Sequence, residues 1–493
     1  MPGMSETELK LLLPGADPAQ VAQVLGRHPA LRRRPREVQT LHNVYHDTPE
    51  QDLRRQKVAL RVRRQRSDDT PGERWILTLK TAGTSVGGLS QRGEWESALP
   101  DATPRRDALR DSPWDTMDPD GRLWARLAPC FVTTCTRTLW LVRQRGGSVI
   151  EVALDVGEIV AGDQRSPLCE LELELKAGAP EALHCLARQL AQALAVLPGQ
   201  ASKAERGYAL ARAETDVPTR AAALELSALP DLAAATQVVL SDAWDQVLRN
   251  TALLMHSEHP ELLHQARVGW RRLRSLARLL RPRVGSAPQS PALHAFWQAT
   301  GPVRELDVML TQTLPAWEAA YVAHDPQRQA EWATVLAQVA AARAQATAAM
   351  RAHLAAPDTG QGWLDWGEWL GAVAQQAARN TPQDWVGWVT DRLDRQHARW
   401  KRLCKAAATE RERHALRLRA KRLRYGTEAF ASVLPRRQAR RWLRAAGQVQ
   451  QNEGARRDLS QCVAWLERLA VPAGPLAFMR GVCAGLFAGA LSL

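Results

Sequence analysis

The chain has 493 residues, 45% of them hydrophobic and 24% charged, which excludes a wholly disordered protein and predicts more than one domain. Its formal net charge is +14, and nearly all of the excess lies in residues 216–493, which carry 36 basic and 24 acidic side chains against 30 and 28 in residues 1–215. This asymmetry indicates a polyanionic partner such as nucleic acid, an anionic membrane surface or a polyphosphate.

Residues 4–213 are predicted to be mostly β structure with a few helices. Apolar and polar residues alternate, as in half-buried strands, in seven runs: Glu6–Leu12, Lys57–Arg66, Trp75–Lys80, Arg92–Ala98, Thr136–Arg143, Ser148–Val156 and Cys169–Lys176. Asp17–His28 and Pro180–Leu197 have the spacing of amphipathic helices. Gly83–Gly88 is expected to be a flexible loop near the mouth of a tunnel that these strands would enclose.

Several of these strands carry charged side chains on one face. Because successive side chains alternate, one face holds Glu6, Glu8 and Lys10. The same pattern recurs in Arg61 and Arg63; Arg92, Glu94 and Glu96; Glu151 and Asp155; and Glu170, Glu172, Glu174 and Lys176. A solvated face explains any single strand. Its recurrence on at least five strands indicates a sheet closed with its charged face inward, which makes a polar tunnel.

Such an interior is costly unless a charged ligand and metal ions compensate it. Carboxylates suit Mg²⁺ or Mn²⁺. Phosphate oxygens can pair with the basic residues, which are Lys10, Arg61, Arg63, Lys80, Arg92, Arg137 and Lys203. These residue types predict a site for a linear, multiply charged phosphate chain.

From about Asp231 onward, Ala-, Leu- and Arg-rich segments predict an all-α unit. Breaks are expected at Arg281-Pro282, Gly301-Pro302, Pro357–Gly362 and Leu434-Pro435. We expect a linker at residues 216–229 between domains at 1–215 and 230–493. Most of the 18 tryptophans are expected to pack in the core and not to stack on bases.

The helical unit contains an internal repeat with an offset of 150 residues. His264, Arg267, Arg271, Arg272, Leu273 and Arg274 recur as His414, Arg417, Lys421, Arg422, Leu423 and Arg424. The repeat predicts two similar, pseudo-symmetric helical bundles. His264, Arg267, Arg271 and Arg274 form a basic stripe on their helix, and their counterparts His414, Arg417, Lys421 and Arg424 form the same stripe. Duplication of the stripe favours anion binding over a merely solvated face. The two histidines would donate hydrogen bonds to an anion or brace the helices, and anion affinity would rise as pH falls toward about 6.5.

No secretion signal or membrane span is expected. The N-terminus lacks a basic and then apolar segment, and Leu476–Leu493 is interrupted by Arg480 and several glycines. The seven cysteines show neither zinc-site nor disulfide spacing. A cytoplasmic protein is therefore expected.

The first unit resembles the CYTH, or triphosphate tunnel metalloenzyme, superfamily. The matching motifs are Glu6–Lys10, Tyr45–Thr48, Leu60–Arg63, Thr78–Lys80, Arg92–Glu96, Ala153–Asp155, Glu170–Glu174 and Ser202–Tyr208. The resemblance implies an eight-stranded antiparallel tunnel that hydrolyses triphosphates or, in one branch, cyclises ATP. It implies catalytic roles for Glu6, Glu8, Lys10, Glu170, Glu172 and Glu174, and metal binding by these carboxylates and Asp155. Which two of Glu170, Glu172 and Glu174 bind metal is left open.

The second unit resembles the CHAD domain, a helical module that binds inorganic polyphosphate. The matching segments are Glu261–Val268, Arg271–Arg274, Gly301–Val308 and His414–Tyr425, while Gly447–Gly454 fits the second-half loop of the family only loosely. The resemblance implies polyphosphate binding by His264, Arg267, Arg271, Arg272, Arg274, Arg304, His414, Arg417, Lys421, Arg422, Arg424 and Tyr425. The contribution of Gln450–Asp458 is left open.

The sequence therefore predicts a cytoplasmic hydrolase of inorganic triphosphate that requires Mg²⁺ or Mn²⁺ and whose helical domain binds long-chain polyphosphate, with association with polyphosphate granules as a further hypothesis. Three alternatives stay open: a non-catalytic polyphosphate-binding protein, a class IV-type adenylate cyclase and a nucleic-acid-binding protein. Neither a membrane nor a nucleic acid is the expected partner.

Overall fold

A closed antiparallel β-barrel forms the first part of the computed structural model, which describes residues 4–69, 72–379, 382–406 and 410–488. Its strands are β1 (Met4–Leu12), β2 (Arg36–Asp47), β3 (Ala59–Ser67), β4 (Glu73–Val86), β5 (Leu89–Leu99), β6 (Ala128–Arg143), β7 (Val149–Ala161) and β8 (Gln164–Ala177). They are ordered β5-β4-β3-β2-β6-β7-β8-β1, and pairing of β1 with β5 closes the barrel. The two-residue β9 (Leu197–Pro198) adds to β1.

Short helices surround the barrel: α1 (Pro18–Arg27), α2 (Asp52–Arg55), α3 (Trp114–Met117), α4 (Glu181–Leu190) and α5 (Lys203–Ala211). The predicted α1 is confirmed, and its Asp17 cap accepts a hydrogen bond from the Ala19 N–H at 3.1 Å. α1 and α4 cover the outward apolar faces of β1, β7 and β8. The charged faces of the same strands are thereby left to point inward.

The seven predicted strands are confirmed, and β2 is the strand that alternation does not reveal. Its inward residues include the buried polar side chains of Gln39 and Asn43, so neither face reads as apolar. Two other expectations are wrong in part. The helix expected to reach Leu197 ends at Leu190. Residues 83–86 belong to β4, and only Gly87 and Gly88, with φ of 63° and 96°, form the turn.

The second part is all-α, so the predicted fold class is confirmed. Its helices are α6 (Leu232–Leu253), α7 (Pro260–Val284), α8 (Pro291–Val308), α9 (Leu314–Val322), α10 (Pro326–Leu354), α11 (Pro357–Ala378), α12 (Trp385–Ala406), α13 (Glu410–Ala429), α14 (Arg436–Arg468) and α15 (Ala473–Ala488). The repeated motif lies on α7 and α13, which pack against each other. Trp244, Trp270 and Trp363 lie in the core, as expected. No helix among the described residues is long and apolar enough to cross a membrane.

Two of the four predicted helix breaks are confirmed, because α11 begins at Pro357 and α14 begins just after Pro435. The third is displaced by two residues, because Pro282 lies in the last turn of α7, which ends at Val284. The fourth is wrong, since Pro302 lies inside α8. Burial of Trp297, Val303 and Leu306 on either side of Pro302 holds α8 together despite the missing N–H.

The two parts are joined through α11. Leu364 packs into the apolar cluster outside the barrel, whereas its neighbour Trp363 packs into the helical core. Arg188 of α4 forms an ion pair with Asp365 at 2.8 Å. Gly87 lies against Gly367 so closely that an added Cβ would come within 2.0 Å of the Gly367 carbonyl oxygen. The barrel and the helical domain therefore meet along a tight interface.

Candidate functional site

The barrel encloses a cavity of about 1430 Å³ that collects the charged residues predicted for the site. All seven predicted phosphate-binding residues line it: Lys10, Arg61, Arg63, Lys80, Arg92, Arg137 and Lys203. The carboxylates of Glu6, Glu8, Glu172 and Glu174 line it too. Asp155 and Glu170 are 0% exposed and form ion pairs with Lys203, which lines the cavity.

Strand register brings these side chains together. Glu8 lies opposite Glu174 and Lys10 opposite Glu172 across β1 and β8. Asp155 lies opposite both Glu170 of β8 and Arg137 of β6. Because side chains alternate along each strand, these residues share the inner face. The intervening leucines pack outward.

The inner group of carboxylates is held by two lysines and two arginines, one of which is Arg206, at 3.2 Å from Glu170. Lys203, at the start of α5, has its Nζ 2.7 Å from Asp155 Oδ2 and 2.9 Å from Glu172 Oε1. Lys10 Nζ lies 2.9 Å from Glu170 and 2.7 Å from Glu172. Arg137 donates two hydrogen bonds to Asp155, at 2.7 and 2.6 Å. A capping box of Ser202 and Glu205 begins α5 and directs Lys203 inward.

These contacts keep the buried carboxylates ionised. Burial alone would raise the pKa of Asp155, but Arg137 and Lys203 outweigh burial and lower the pKa to about 2. Lys10 and Lys203 likewise hold the pKa of Glu172 well below its ordinary value against the effect of burial. Burial would lower the pKa of Lys203, but the three carboxylates raise it well above the ordinary value. The inner group is therefore a network of mutually stabilised charges.

A second group surrounds Glu6. Burial opposes its ionisation, but Lys80 at 2.8 Å and Arg92 at 3.3 Å lower its pKa to about 2. Arg92 also forms an ion pair with Glu8. Glu94, which lines the same cavity, lies 3.0 Å from Lys80, and burial raises its pKa. The sequence prediction assigns no role to Glu94 or Glu96. Their alternation with Arg92 along one strand was the pattern that could have indicated that they face the tunnel.

Arg63 is a weakly compensated cation of the tunnel wall. It donates to Asn43 Oδ1 at 2.9 Å and forms no ion pair with a described residue. Burial, followed by the charges of Arg61 and Arg137, lowers its pKa to about 10. A cation in this position gains most when an anion enters the tunnel.

Three carboxylates can hold a divalent metal. Asp155, Glu170 and Glu172 each offer an oxygen, and these oxygens lie within 4.8 Å of one another. A donor set made only of carboxylates suits hard cations such as Mg²⁺ or Mn²⁺. Glu174 lies apart from this group and pairs with Lys176 at 2.7 Å. Burial raises the pKa of Glu174, with Glu6 and Glu151 adding to the effect.

Part of the predicted helical site also comes together. A basic cluster forms from α7, α8 and α13 and consists of His264, Arg267, Arg271, Arg304 and Lys421. Burial, then Arg271 and Arg267, lowers the pKa of Lys421 to about 8. Burial and the charge of Arg271 lower the pKa of Arg267 to about 10. Burial and Arg304 lower the pKa of His264. Like charges are thus held together in this cluster without enough carboxylates to neutralise them.

Other predicted helical residues do not join the basic cluster. Arg272 is 3% exposed and pairs with Asp242 of α6, because it lies one position off the stripe. Arg274 and Arg422 lie among Arg278 and Arg419. Arg424 pairs with Glu428 at 2.7 Å.

Three further residues predicted to bind polyphosphate lie on α13: Tyr425, Arg417 and His414. Tyr425 is buried beside Arg271, and Arg417 is half-buried. The side chain of His414 lies outside the described residues. Gly447–Gly454 lies within α14 and not in a loop, and Asp458 of the same helix faces Arg304 and Lys421.

One wall of the tunnel cavity comes from the helical domain. Ser241, Asp242, Asp245 and Arg249 of α6 line it together with the barrel residues. Arg249 bonds to Asp245 at 2.8 Å and pairs with Glu205 of α5 at 3.2 Å. No local pattern marks these residues in the sequence, because only domain packing brings α6 to the tunnel.

A closed antiparallel barrel with an ion-paired interior, joined to an all-α domain, defines a charged-tunnel protein of two domains. Residues 4–208 match the family model of the CYTH domain, and residues 238–467 match that of the CHAD domain. The chain therefore consists of a barrel that matches the CYTH domain, followed by a helical part that matches the CHAD domain.

Similar proteins include an inorganic triphosphatase from Haemophilus influenzae, 35% identical over 209 residues, which are 42% of this chain and 55% of that protein. The chain thus spans about half the length of this relative. The crystal structure of the CHAD domain from the plant Ricinus communis is 26% identical, with 55% of this chain and 92% of that chain covered and a TM-score of 0.47. A putative adenylyl cyclase from Hippeastrum, described as having a dominant triphosphatase activity, is 20% identical, with 41% and 95% covered and a TM-score of 0.28.

Proposed function

We propose that the barrel hydrolyses inorganic triphosphate with Mg²⁺ or Mn²⁺. The observation that carries this proposal is one cavity in which the seven predicted lysines and arginines face the acidic residues of β1, β5 and β8. A linear phosphate chain matches this arrangement because its oxygens can engage cations from all sides of a tunnel. The similarity to an inorganic triphosphatase supports the same substrate.

The chain's own residues would bind and orient the substrate. Arg63, which lacks a carboxylate partner among the described residues, would accept a phosphate group at least cost. Arg61 and Arg137 flank it and would share the same phosphate oxygens. Lys10, Lys80, Arg92 and Lys203 would release part of their bonding to carboxylates when phosphate enters. These cations would also stabilise charge that develops on the departing pyrophosphate.

The acidic residues would hold the metal. Asp155, Glu170 and Glu172 form the closest group, while Glu6, Glu8 and Glu174 offer further carboxylates on the neighbouring strands. A bound divalent ion would offset phosphate charge and lower the pKa of water. Lys10 and Lys203 now neutralise the inner carboxylates, so the two lysines would turn toward phosphate as the ion takes their place.

We propose that the CHAD domain binds long-chain polyphosphate through the basic cluster. Its support is the lowered pKa of Arg267, Arg271 and Lys421, since a bound polyanion would relieve their mutual repulsion. We place the two domains at residues 1–215 and 230–493, because no helix or strand lies between Ala211 and Leu232. Binding by the second domain would raise the concentration of phosphate chains near the tunnel and place the protein on polyphosphate granules.

Substrate profiling of the purified full chain tests the catalytic proposal. We expect metal-dependent phosphate release from triphosphate, with lower rates for ATP and thiamine triphosphate. Glu6→Ala and Glu8→Ala should abolish it. Cyclic AMP formation from ATP would instead identify a cyclase. Polyphosphate binding without turnover of any substrate would identify a non-catalytic binding protein.

A further inference from the structure

Seven exposed arginines gather at one end of the barrel, outside the tunnel. We name them the arginine collar: Arg27, Arg32, Arg33, Arg34, Arg36, Arg143 and Arg145. Five lie from the last residue of α1 to the first residue of β2, and two lie at the end of β6 and in the β6–β7 turn. They lie outside every motif that pointed to the tunnel or to the basic cluster.

The collar is held in a defined shape. Leu31, in the middle of the segment, is 0% exposed and packs in the apolar cluster beneath α4. His28 Nε2 lies 3.0 Å from the Gln189 carbonyl oxygen of α4. Arg34 donates to the Arg143 carbonyl oxygen at 3.4 Å and thereby links the segment to the β6–β7 turn. The arginines therefore project from an anchored backbone, which lowers the entropic cost of binding a ligand.

The charge of the collar is uncompensated. None of its arginines forms an ion pair with a residue that the structure describes, and Glu37, the acidic residue beside them, accepts hydrogen bonds from Gln39 and Ser67. Arg34, Arg143 and Arg145 line a cavity of about 430 Å³ whose lining includes no carboxylate. Three other exposed arginines of the barrel are paired: Arg105 with Asp101, Arg122 with Asp120 and Arg165 with Glu158. Concentrated like charge without counter-charge is the footprint of a polyanion-binding surface.

The collar lies at one end of the tunnel. Arg143 pairs with Val149 at the end of the β6–β7 hairpin, and Glu151, which lines the tunnel, is two residues further along β7. Two residues of a strand span about 7 Å. A chain held by the collar could therefore reach the tunnel lining near Glu151 and Glu174 without leaving the barrel surface.

We propose that the arginine collar is a second docking surface for inorganic polyphosphate, located on the CYTH domain, which holds a phosphate chain beside the tunnel. Its role in delivering a chain to the tunnel rests on the proposed triphosphatase function, whereas its binding of polyphosphate does not. Guanidinium groups engage phosphate oxygens in pairs. Residues 27–36 and 143–149 contain no Phe, Tyr or Trp, and the one imidazole, His28, is bonded to the Gln189 carbonyl oxygen, so the collar lacks the large stacking surface typical of single-stranded nucleic-acid sites.

The test compares full-length variants that carry Arg271→Ala and Lys421→Ala, so that the basic cluster contributes less. The collar variant adds Arg32→Ala, Arg33→Ala and Arg145→Ala. The matched control adds Arg105→Ala, Arg122→Ala and Arg165→Ala, which removes the same charge from exposed arginines of the same barrel. The probe is long-chain inorganic polyphosphate with a fluorophore at one end, and fluorescence anisotropy is measured over a series of salt concentrations. Thermal unfolding verifies that all variants fold.

We expect the collar variant to bind about tenfold more weakly than its parent and the control to bind within about twofold. The slope of log affinity against log salt should fall by about 2, since each lost contact with a single-stranded polyanion removes about 0.7. Equal affinity and slope in collar and control variants would overturn the proposal. So would a loss of affinity for single-stranded DNA with unchanged polyphosphate binding. Phosphate release by the parent variant tests the proposed activity separately. The difference in polyphosphate affinity between the collar and control variants can be measured whether or not the protein hydrolyses triphosphate.

Discussion

The tunnel and the basic cluster are both rich in cations, but the electrostatic surroundings of these cations differ: carboxylates pair with them in the tunnel, whereas like charges surround them in the cluster. In the tunnel, lysines are matched by carboxylates, and the pKa values of Lys10 and Lys203 are raised despite burial. In the basic cluster, burial and like charge lower the pKa of Lys421 to about 8. The tunnel is therefore an ion-paired site, in which uptake of the proposed substrate would require an exchange of partners. In the basic cluster, a bound anion would directly relieve the repulsion between like charges.

Metal removal should have the largest effect and should separate the two sites. A chelator is expected to reduce triphosphate hydrolysis to the background rate, because the metal offsets phosphate charge in the tunnel. Polyphosphate affinity should be unchanged, because the basic cluster holds too few carboxylates to need an ion. Phosphate release and anisotropy before and after addition of EDTA, and then of Mg²⁺ or Mn²⁺, measure both. Full hydrolysis in EDTA would contradict a metal-dependent tunnel.

Glu172→Gln should disrupt the proposed tunnel mechanism, in which lysines and arginines exchange carboxylate partners for phosphate. Lys10, Lys203 and Arg137 all contact this carboxylate, so neutralising it removes their common partner. We expect kcat/KM for triphosphate to fall by about 10²–10³-fold. Glu158→Gln is the control, since Glu158 is exposed on the same barrel and pairs with Arg165. Similar kinetics for the two variants would argue against a role for the inner carboxylates.

The double variant Arg271→Ala/Lys421→Ala should weaken the second site alone. We expect polyphosphate affinity to fall about tenfold or more, because two desolvated cations are lost. The kcat for triphosphate should change by less than about twofold, since neither residue lines the tunnel cavity. Lys401→Ala/Arg436→Ala removes the same charge from exposed positions and serves as the control. The basic cluster would lose its assigned role if both double variants bound equally well.

The smallest expected effect is a pH dependence confined to the basic cluster. Below pH 8, Lys421 is charged and attracts polyphosphate; as pH rises through about 8, the free protein loses this proton and affinity falls. We expect a decrease of about three- to tenfold between pH 7 and pH 9. Lys421→Arg should flatten the curve in this range, whereas Lys401→Arg should not. An unchanged curve for Lys421→Arg would assign the titration to another group.

Much of the tunnel could be predicted because strand alternation is a local property. Glu6, Glu8 and Lys10 share a face whatever surrounds β1, and the recurrence of such faces indicated a closed sheet. β2 escaped prediction because its inward Gln39 and Asn43 are polar. The stripe geometry of α7 was equally local, but the ion pair of Arg272, which lies off the stripe, with Asp242 depends on the packing of α6 beside α7.

By itself, the sequence determined which side chains lie on the same face of each strand and helix, since backbone periodicity sets this. Only the tertiary structure decided that Asp155, Glu170 and Glu172 converge on Lys203, because strand register and the capping box of α5 bring together residues far apart in the chain. It likewise decided that α6 forms a wall of the tunnel cavity and that Arg34 meets Arg143 and Arg145, from a distant segment, around a second cavity. Charge balance between distant segments depends on packing, and packing is not a periodic property of the chain.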